Sequence, residues 1–299
     1  MTTTSPTTPD PHLRTDCAVD TDGRIVFTLR SGEITASRTA RTPPSSPSPP
    51  SSPSPPSSRL LLRLRSQQGE TEEILHVLDL EPLDDGRRRA VLEPEPALTE
   101  GRWDVYLLPD PGAERQRLRP GLRDLRALVD GRTRDRPAPV AVRVPYTTKD
   151  GYLAVRAWLR TAHAEVEGVD VTDRSMTVRA RLHGAPLSEE AAVLLRPRGG
   201  NGVERTLTPH PGGDGRAFSF TVDYGELVTD DSPAGRAWDI SVQAGPAAEG
   251  PAVRVGRLLD DIADRREIFV YPAATVGGVA VRPRYTVDND LSVEVTAAV

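Results

Sequence analysis

The chain has 299 residues, of which 27% are charged and 37% are hydrophobic, and its formal net charge is −5. This length suffices for two domains, and the acidic balance gives no general attraction to nucleic acid. The sequence contains no apolar run of about 18 residues, and its N-terminus lacks the pattern of a signal peptide. We therefore expect a cytoplasmic protein without a membrane span. Cys17 is the single cysteine, which excludes an internal disulfide and a cysteine-based metal site.

Short segments of alternating or continuous apolar residues follow one another along the chain and predict β-strands. In chain order they are RIVFTLRS (24–31), WDVYLLP (103–109), VAVRVPY (140–146), YLAVRAWL (152–159), MTVRARLHG (176–184), FSFTVDY (218–224), WDISVQ (238–243) and LSVEVTA (291–297). Turn signals such as DDG (84–86) and KDG (149–151) separate them. Residues 121–131 and 256–266 each suit a short helix or a loop that caps a sandwich. The pattern predicts an all-β protein built from β-sandwiches.

The order of these segments is repeated. GRWDVYLLP around Trp103 corresponds to GRAWDISVQ around Trp238, an offset of about 135 residues. Strand and turn patterns on both sides of each tryptophan correspond in the same order. We interpret the chain as two tandem immunoglobulin-like or fibronectin-like β-sandwiches. Each of these two tryptophans is then predicted to fill a core, with a stacking platform for a sugar or base as the alternative.

The repeat offset locates an insertion. It is about 152 before residue 32 and about 133 after residue 60, so the first copy contains about 20 additional residues. The proline- and serine-rich tract 43–58 lies in this window and is unsuited to a sheet, because proline lacks the backbone donor. We therefore predict a disordered tail (1–16), a first domain (17–160) with a loop insertion at 40–58, and a second domain (165–299), with the boundary near 160–168.

Several residues are candidates for metal binding or catalysis. Asp288-Asn289-Asp290 could be a divalent-metal site of the Asp-x-Asp kind, but its counterpart is the KDG turn, so a hairpin turn is predicted. His183 and His210 are predicted at the surface or at a sheet edge. We assign no catalytic residue, no metal ligand and no cofactor from the sequence.

The segments GRWDVYL, VRVPYTTKDGYLAVRAW, RAWDISV and VRPRYTVDNDLSVEV together resemble the tandem immunoglobulin-like modules of bacterial cell-wall glycopolymer transferases, such as wall teichoic acid glycosyltransferases. Stand-alone actinobacterial chains of this kind are called transferases. The resemblance covers most of residues 18–299. It implies a β-sandwich accessory region and no catalytic residue, because catalysis in that family belongs to a separate domain.

From these observations we predict a non-catalytic accessory or interaction protein that supports a cell-envelope glycopolymer transferase. Its partner would be a protein such as a glycosyltransferase, or a glycan. The alternatives are a small transferase acting on a cell-envelope glycan and a carbohydrate-binding module. For the last of these, Trp158 is the candidate ligand-binding residue, because it is expected to be exposed for stacking and its repeat position near Ala297 lacks a tryptophan. Oligomeric state is left open.

Overall fold

The structure is a computed structural model that describes residues 13–30, 58–65, 73–132, 134–199, 203–228, 235–246 and 250–298. The density of contacts divides the chain into two compact units. The first unit contains residues 1–131 and 143–157, and the second contains residues 132–142 and 158–299. The predicted insertion, within the range 40–58, lies outside the described residues except for Ser58.

Nearly all regular structure is β. The strands from the N-terminus to the end of the first repeat are β1 (Arg14–Val19), β2 (Ile25–Arg30), β3 (Arg59–Leu64), β4 (Leu75–Asp79), β5 (Glu81–Pro82), β6 (Arg87–Leu92), β7 (Gly101–Leu108), β8 (Gln116–Arg117), β9 (Arg119–Asp124), β10 (Val140–Thr147) and β11 (Leu153–Arg160). One short helix, α1 (Arg126–Asp130), follows β9.

The strands of the second repeat are β12 (His163–Val171), β13 (Ser175–His183), β14 (Ala192–Pro197), β15 (Arg205–Leu207), β16 (His210–Pro211), β17 (Ala217–Asp223), β18 (Arg236–Gln243), β19 (Val253–Gly256), β20 (Ala274–Val276), β21 (Val279–Tyr285) and β22 (Leu291–Ala297). A 3₁₀ turn spans Tyr224–Glu226. Among the described residues no helix has the length and apolar character needed to cross a bilayer.

The first repeat forms two sheets. One has the strand order β5-β6-β2-β1-β9, and the other has the order β10-β11-β7-β3-β4 with β8 beside β7. Neighbouring strands are antiparallel except for β1 and β9, which are parallel. Apolar side chains from both sheets of the first unit meet in one core, which includes Phe27, Leu62 and Val105. The predicted all-β sandwich fold is thus confirmed.

The second repeat has the same plan. Strands β16-β17-β13-β12 form one sheet and β15-β14-β18-β22-β21-β20 form the other. Strand β19 joins the two sheets, since it pairs in parallel with β12 and antiparallel with β18. The core between the sheets includes Val178, Phe220 and Ile240.

Strand register demonstrates the repeat residue by residue. Trp103 on β7 lies opposite Leu64 on β3 and Val155 on β11. Trp238 on β18 lies opposite Pro197 on β14 and Val293 on β22. The offset between the partners Leu64 and Pro197 is 133 residues, and the offset between Trp103 and Trp238 is 135 residues. The hydrogen-bonded ladders therefore have the offsets predicted from the sequence.

Both tryptophans of the repeated pair are core residues, as predicted. Trp103 and Trp238 are each at most 2% exposed. The aspartates that follow them lie on the opposite sheet face, because side chains alternate along a strand. Asp104 forms an ion pair with Arg65 at 2.6 Å, and Asp239 forms the corresponding pair with Arg198. The repeated Trp-Asp pair is therefore a structural element.

Three further expectations can be compared with the secondary structure. Strand β1 begins at Arg14, so the end of the predicted tail 1–16 belongs to the sheet. The boundary region 160–168 coincides largely with strand β12, whose residues His163 and Glu165 are buried. Each of the segments 121–131 and 256–266 was expected to form a short helix or a capping loop. The first contains the helix α1, and the second is a loop.

Candidate functional site

A pocket of about 430 Å³ opens at one end of the second unit. Three connections surround it, namely the β11–β12 turn, the β13–β14 loop and the β18–β19 loop. Loops at the end of a β-sandwich are where such scaffolds usually place recognition sites, because the sheets hold the loops in position. This volume falls within the range of pockets that bind small molecules, about 300–1,000 Å³.

The pocket lining combines apolar and polar residues. Its apolar residues include Leu159, Ala185, Pro246 and Pro251. Proline adds apolar surface without a backbone donor. The amide of Gln243 donates to the carbonyl of Gly250 at 3.0 Å and thereby ties together the two ends of the β18–β19 loop.

The lining also includes two arginines, Arg160 at the end of β11 and Arg254 on β19. The guanidinium of Arg160 contacts one carboxylate oxygen of Asp290 at 2.8 Å, and that of Arg254 contacts the other at 3.3 Å. The side chain of Arg160 is 4% exposed, whereas that of Arg254 is 46% exposed. Two cations therefore share one carboxylate in the pocket lining, with Arg160 fixed and Arg254 reaching solvent.

Arg160 also connects the pocket to a buried acid. Its Nη1 lies 3.2 Å from Nδ1 of His163, and Nε2 of His163 lies 2.9 Å from a carboxylate oxygen of Glu165. Because a guanidinium can only donate, Nδ1 of His163 accepts and Nε2 carries the proton that is donated to Glu165. Burial lowers the pKa of His163 in this position, although the hydrogen bond to Glu165 opposes that effect. His163 is thus a neutral link between Arg160 and Glu165.

Glu165 in turn anchors the loop that follows β19. Its two carboxylate oxygens accept the backbone N–H groups of Leu258 at 2.7 Å and Leu259 at 3.1 Å. Backbone amides and the histidine stabilise the charged carboxylate in an interior position where it would otherwise be costly. The polar chain Arg254–Asp290–Arg160–His163–Glu165 therefore runs from the pocket wall into the second unit.

The Asp288-Asn289-Asp290 segment forms the predicted hairpin turn. The backbone N–H of Thr286 donates to the Asp290 carbonyl, that of Asn289 donates to the Thr286 carbonyl, and Asn289 has a φ of 61°. The KDG turn has the same form, with Thr148, Tyr152 and a positive φ at Gly151. Among the described residues there is no group of three or more histidine, cysteine or acidic side chains able to hold a metal ion.

Each residue of this turn has a structural contact. The Asp288 carbonyl accepts the indole N–H of Trp158 at 3.0 Å. Asn289 is fully buried, and its side chain accepts from the Arg265 backbone and donates to the Ile262 carbonyl. Asp290 pairs with the two pocket arginines, as described above. The turn therefore connects the pocket wall with the loop 257–266.

The expected exposure of Trp158 is wrong. Trp158 is 1% exposed and is among the largest fully buried side chains. Buried and exposed residues do not alternate along this part of β11, since Leu153–Trp158 are all buried. A sugar ring stacks only on an accessible aromatic face, so a carbohydrate-binding function would have to rest on other residues. Trp158 lies directly before Leu159 and Arg160, and its burial fixes that end of the pocket.

The expectation for His183 is also wrong, whereas His210 is exposed as predicted. His183 lies opposite His163 across β12 and β13 and is 1% exposed. Its Nδ1 accepts the backbone N–H of Arg136 at 3.3 Å. Burial, and secondarily the proximity of His163, lowers its pKa to about 4. Its position at the end of a strand gave no indication of this, because the burying residues are distant in sequence.

The pocket residues themselves were not found from the sequence. Alanine, proline and glycine in the segments 184–186 and 244–252 resemble ordinary turns. The one available signal was the polar segment RTAHAE (160–165), whose charged residues and histidine precede a strand pattern. The sequence alone predicts a domain boundary in that segment.

Comparisons with known proteins place the chain only loosely. No protein-family model and no curated protein matches it. Among solved structures, Staphylococcus aureus TarS is similar with a TM-score of 0.36 and 11% identity over 58% of this chain and 32% of that one. TarS residues 217–571 give a TM-score of 0.29 and 13% identity over 73% of this chain and 57% of that one.

A third similar structure is the tetra-tandem repeat in the extending region of a large adhesion protein, with a TM-score of 0.20 and 11% identity. It covers 96% of this chain and 63% of that one. The chain thus spans between about a third and just under two thirds of the length of these structures. Scores this low carry no functional argument.

Proposed function

We propose that the chain is a non-catalytic interaction protein made of two immunoglobulin-like β-sandwiches that supports a cell-envelope glycopolymer transferase. The observation that carries the interaction role is the pocket at the end of the second unit, whose lining combines apolar residues with two arginines. Convergent polar groups beside apolar surface are typical of recognition sites.

The repeat supports the same proposal. The residues that recur between the two copies serve the architecture, since Trp103 and Trp238 fill cores and Asp104 and Asp239 pair with arginines. Beside the pocket, in contrast, the two copies differ. Asp290, which pairs with the pocket arginines Arg160 and Arg254, occupies the turn position that Tyr152 has in the first copy. A shared scaffold with one specialised end suits a binding role. The choice of a transferase as partner follows from the resemblance of the strand and turn segments.

The test measures complex formation between the purified chain and a purified glycopolymer transferase from the same organism by sedimentation. Gly250→Trp fills the pocket entrance, because Gly250 lines the pocket, is exposed and has no atom within 4 Å of an added Cβ. Gly213→Trp is the matched control, since Gly213 has equally open surroundings in the β16–β17 turn.

We expect the unmodified chain and Gly213→Trp to bind the transferase equally, and Gly250→Trp to bind at least about tenfold more weakly. Failure of the unmodified chain to bind would refute the accessory function. Binding of the isolated glycan in place of the enzyme would favour the carbohydrate-binding alternative. Turnover of a nucleotide sugar by the chain alone would favour the small transferase.

A further inference from the structure

Strand β4 carries exposed apolar side chains at the edge of a sheet in the first unit. It ends the strand order β10-β11-β7-β3-β4, so among the described residues it has a strand neighbour on one side only. Leu75 is 41% exposed and Val77 is 48% exposed. Both point away from the core, because side chains alternate along the strand and Leu78 is buried in the core.

The second copy shows that the fold does not require apolar residues at this edge. The 133-residue offset between β3 and β14 makes β15 the equivalent strand. The counterpart of Val77 is then Thr206, and the counterpart of Leu75 is Glu204, directly before β15. Both counterparts are exposed. Polar side chains usually protect an edge strand against pairing with other chains, so the first copy lacks a protection that the second copy has.

The apolar surface continues from the edge onto the neighbouring strands. Val77 lies opposite Leu61 on β3, and Leu61 lies opposite Tyr106 on β7. In the second copy the same row consists of Thr206, Leu194 and Ser241. The row of the first unit is thus the more apolar of the two, from the edge strand inwards.

The backbone of β4 leaves hydrogen-bonding groups at the edge. The N–H of Leu64 donates to the carbonyl of Ile74, so these two residues form a hydrogen-bonded pair of the β3–β4 ladder. Hydrogen-bonded and non-hydrogen-bonded pairs alternate in an antiparallel ladder. Leu75, Val77 and Asp79 therefore direct their N–H and C=O groups away from β3, where an incoming strand can pair with them.

A second copy of the chain fits this edge in one symmetric register. When two β4 strands pair antiparallel about a two-fold axis at Val77, Val77 faces Val77 of the second copy and Leu75 faces Asp79 of the second copy. All five residues of each strand are then paired. The next symmetric register on one side places Glu73 opposite Asp79, two like charges. The next one on the other side places Val77 opposite Asp79 and leaves Leu75 beyond the end of the second strand.

The charges beside the strand also favour the register centred on Val77. On β3, Arg59 lies opposite Asp79 and Arg63 lies opposite Leu75. Asp79 would therefore lie between its own Arg59, which it contacts at 3.2 Å, and Arg63 of the second copy, two strand spacings or about 10 Å away along the sheet. The Asp79 side chain is 85% exposed and that of Arg63 is 40% exposed, so each has room to approach the other.

We propose that two copies of the chain associate through β4 of their first units and form one continuous sheet across a two-fold axis at Val77. The same surface is used by both copies, so the contact closes with two chains. It involves the first unit alone and is independent of the recognition proposed for the pocket of the second unit.

Sedimentation velocity of the full chain over a wide concentration range tests the association, and we expect a monomer–dimer equilibrium. Leu75→Glu combined with Val77→Thr gives β4 the residues that β15 has in the same fold, and should weaken dimerisation at least about tenfold. Leu122→Glu combined with Val129→Thr is the matched control. It makes the same chemical changes at exposed apolar positions on β9 and α1 of the same unit, and should leave dimerisation unchanged.

Val77→Cys tests the register. In the proposed ladder the two residues at this position have Cα atoms about 5.5 Å apart, which a disulfide can bridge. Oxidation with copper phenanthroline should therefore give a covalent dimer. Thr206→Cys, at the equivalent edge of the second unit, and the unmodified chain, whose Cys17 is buried, should stay monomeric on a denaturing gel.

The outcomes separate this inference from the proposed function. A monomer at every concentration, a dimer that both double variants form equally, or growth beyond two chains overturns the inference and leaves recognition at the pocket untouched. A dimer without the Val77→Cys cross-link overturns the pairing about Val77. Loss of transferase binding in Gly250→Trp, with dimerisation retained, supports both proposals.

Discussion

In the repeated Trp-Asp pair, two neighbouring side chains stabilise two different parts of each sandwich. The indole of Trp103 fills the core and donates to the Thr99 carbonyl at 3.0 Å, while Asp104 pairs with Arg65 on the other face of the sheet. Strand alternation places them on opposite sides. The same dipeptide recurs because each sandwich uses the tryptophan in its core and the aspartate on the opposite face of the same strand.

We predict that Trp103→Ala and Trp238→Ala each lower the stability of their own unit by about 3–5 kcal/mol, through lost burial and the cavity that remains. Urea unfolding measures this. Leu122→Ala in the first unit and Val203→Ala in the second are controls, because these side chains are 80% and 71% exposed. An unchanged unfolding midpoint in either tryptophan variant would contradict the core assignment.

The two aspartates of the 288–290 turn should respond differently to substitution. Asp290→Asn removes a charged partner of the buried guanidinium of Arg160, which should cost about 2–4 kcal/mol, since breaking a buried ion pair is strongly destabilising. Asp288→Asn should cost less than about 1 kcal/mol, because the contact of Asp288 with Trp158 uses its backbone carbonyl. Thermal unfolding separates the two. Equal losses, or heat on titration with Mn²⁺ that both variants abolish, would favour a metal site.

His183 should make the second unit sensitive to acid. Its pKa is about 4 in the folded chain, against about 6.5 for an unperturbed histidine. Between these pH values the unfolded chain binds the proton and the folded chain does not. The stabilising effect of neutral His183 is therefore complete above pH 6.5 and is lost as the pH falls towards 4.

Comparing unfolding free energies at pH 7 and pH 4.5 tests this expectation. His183→Gln should reduce the acid-induced loss by about 2–3 kcal/mol relative to the unmodified chain. His210→Gln, at an exposed position, serves as the control. The same acid-induced loss in the unmodified chain and in His183→Gln would show that this histidine does not couple folding to pH.

At the scale of elements, the strands that alternate or run apolar were predictable, and those with buried polar residues were not. Eight strands coincide, to within two residues at either end, with segments identified from periodicity, namely β2, β7, β10, β11, β13, β17, β18 and β22. Strand β12 was missed because its buried His163 and Glu165 resemble the polar residues of a linker. A polar side chain can occupy such a position only when partners from elsewhere satisfy it, and here Arg160 and the loop 257–266 do so.

The candidate site was less predictable than the fold for the same reason. The pocket is formed where three connections meet, and the local sequence of each resembles an ordinary turn. The relation between Arg160, Arg254 and Asp290 depends on the pairing of β12 with β19 and on the β21–β22 turn. Repeat analysis identified equivalent residues but could not show which of them are neighbours across two sheets.

The β2–β3 connection should tolerate shortening. In the second copy β13 ends at His183 and β14 begins at Ala192, so a short connection closes the equivalent gap. Replacing residues 40–57 by APLSEEA, while keeping Ser58 as acceptor for Arg88, should change stability by no more than about 1 kcal/mol. Differential scanning calorimetry gives the answer. A loss of several kcal/mol, or native release of residues 1–42 after cleavage in the tract, would contradict an insertion within one sandwich.

At the scale of the whole molecule, the two copies are alike in strand order but the compact units do not divide at the end of the first repeat. Residues 132–142 and 158–160 belong to the second unit, although they lie in or beside the last hairpin of the first repeat. Sequence similarity defines the repeat, whereas packing defines the unit. The domain limits 17–160 and 165–299 therefore stay a prediction.

A pair of fragments tests those limits. Fragment 158–299 retains Trp158, with its hydrogen bond to Asp288, and Arg160, with its ion pair to Asp290. Fragment 165–299 lacks both. We expect fragment 158–299 to be more stable by at least about 3 kcal/mol, the usual cost of removing a buried tryptophan. Circular dichroism during urea unfolding measures the difference, and equal stability would place the boundary at residue 165.

The common register of the two copies has a consequence for how the chain reaches its fold. Val155 and Val293 face equivalent tryptophans, so β22 could pair with β7 during folding without any change of ladder geometry. Tandem repeats are prone to such exchanged assemblies. The side chains differ around the shared ladder: Arg156 lies opposite Arg102 in one copy, and Glu294 opposite Ala237 in the other. An exchanged ladder would place Glu294 opposite Arg102, so the charges at this position favour the exchanged pairing over the native pair of arginines.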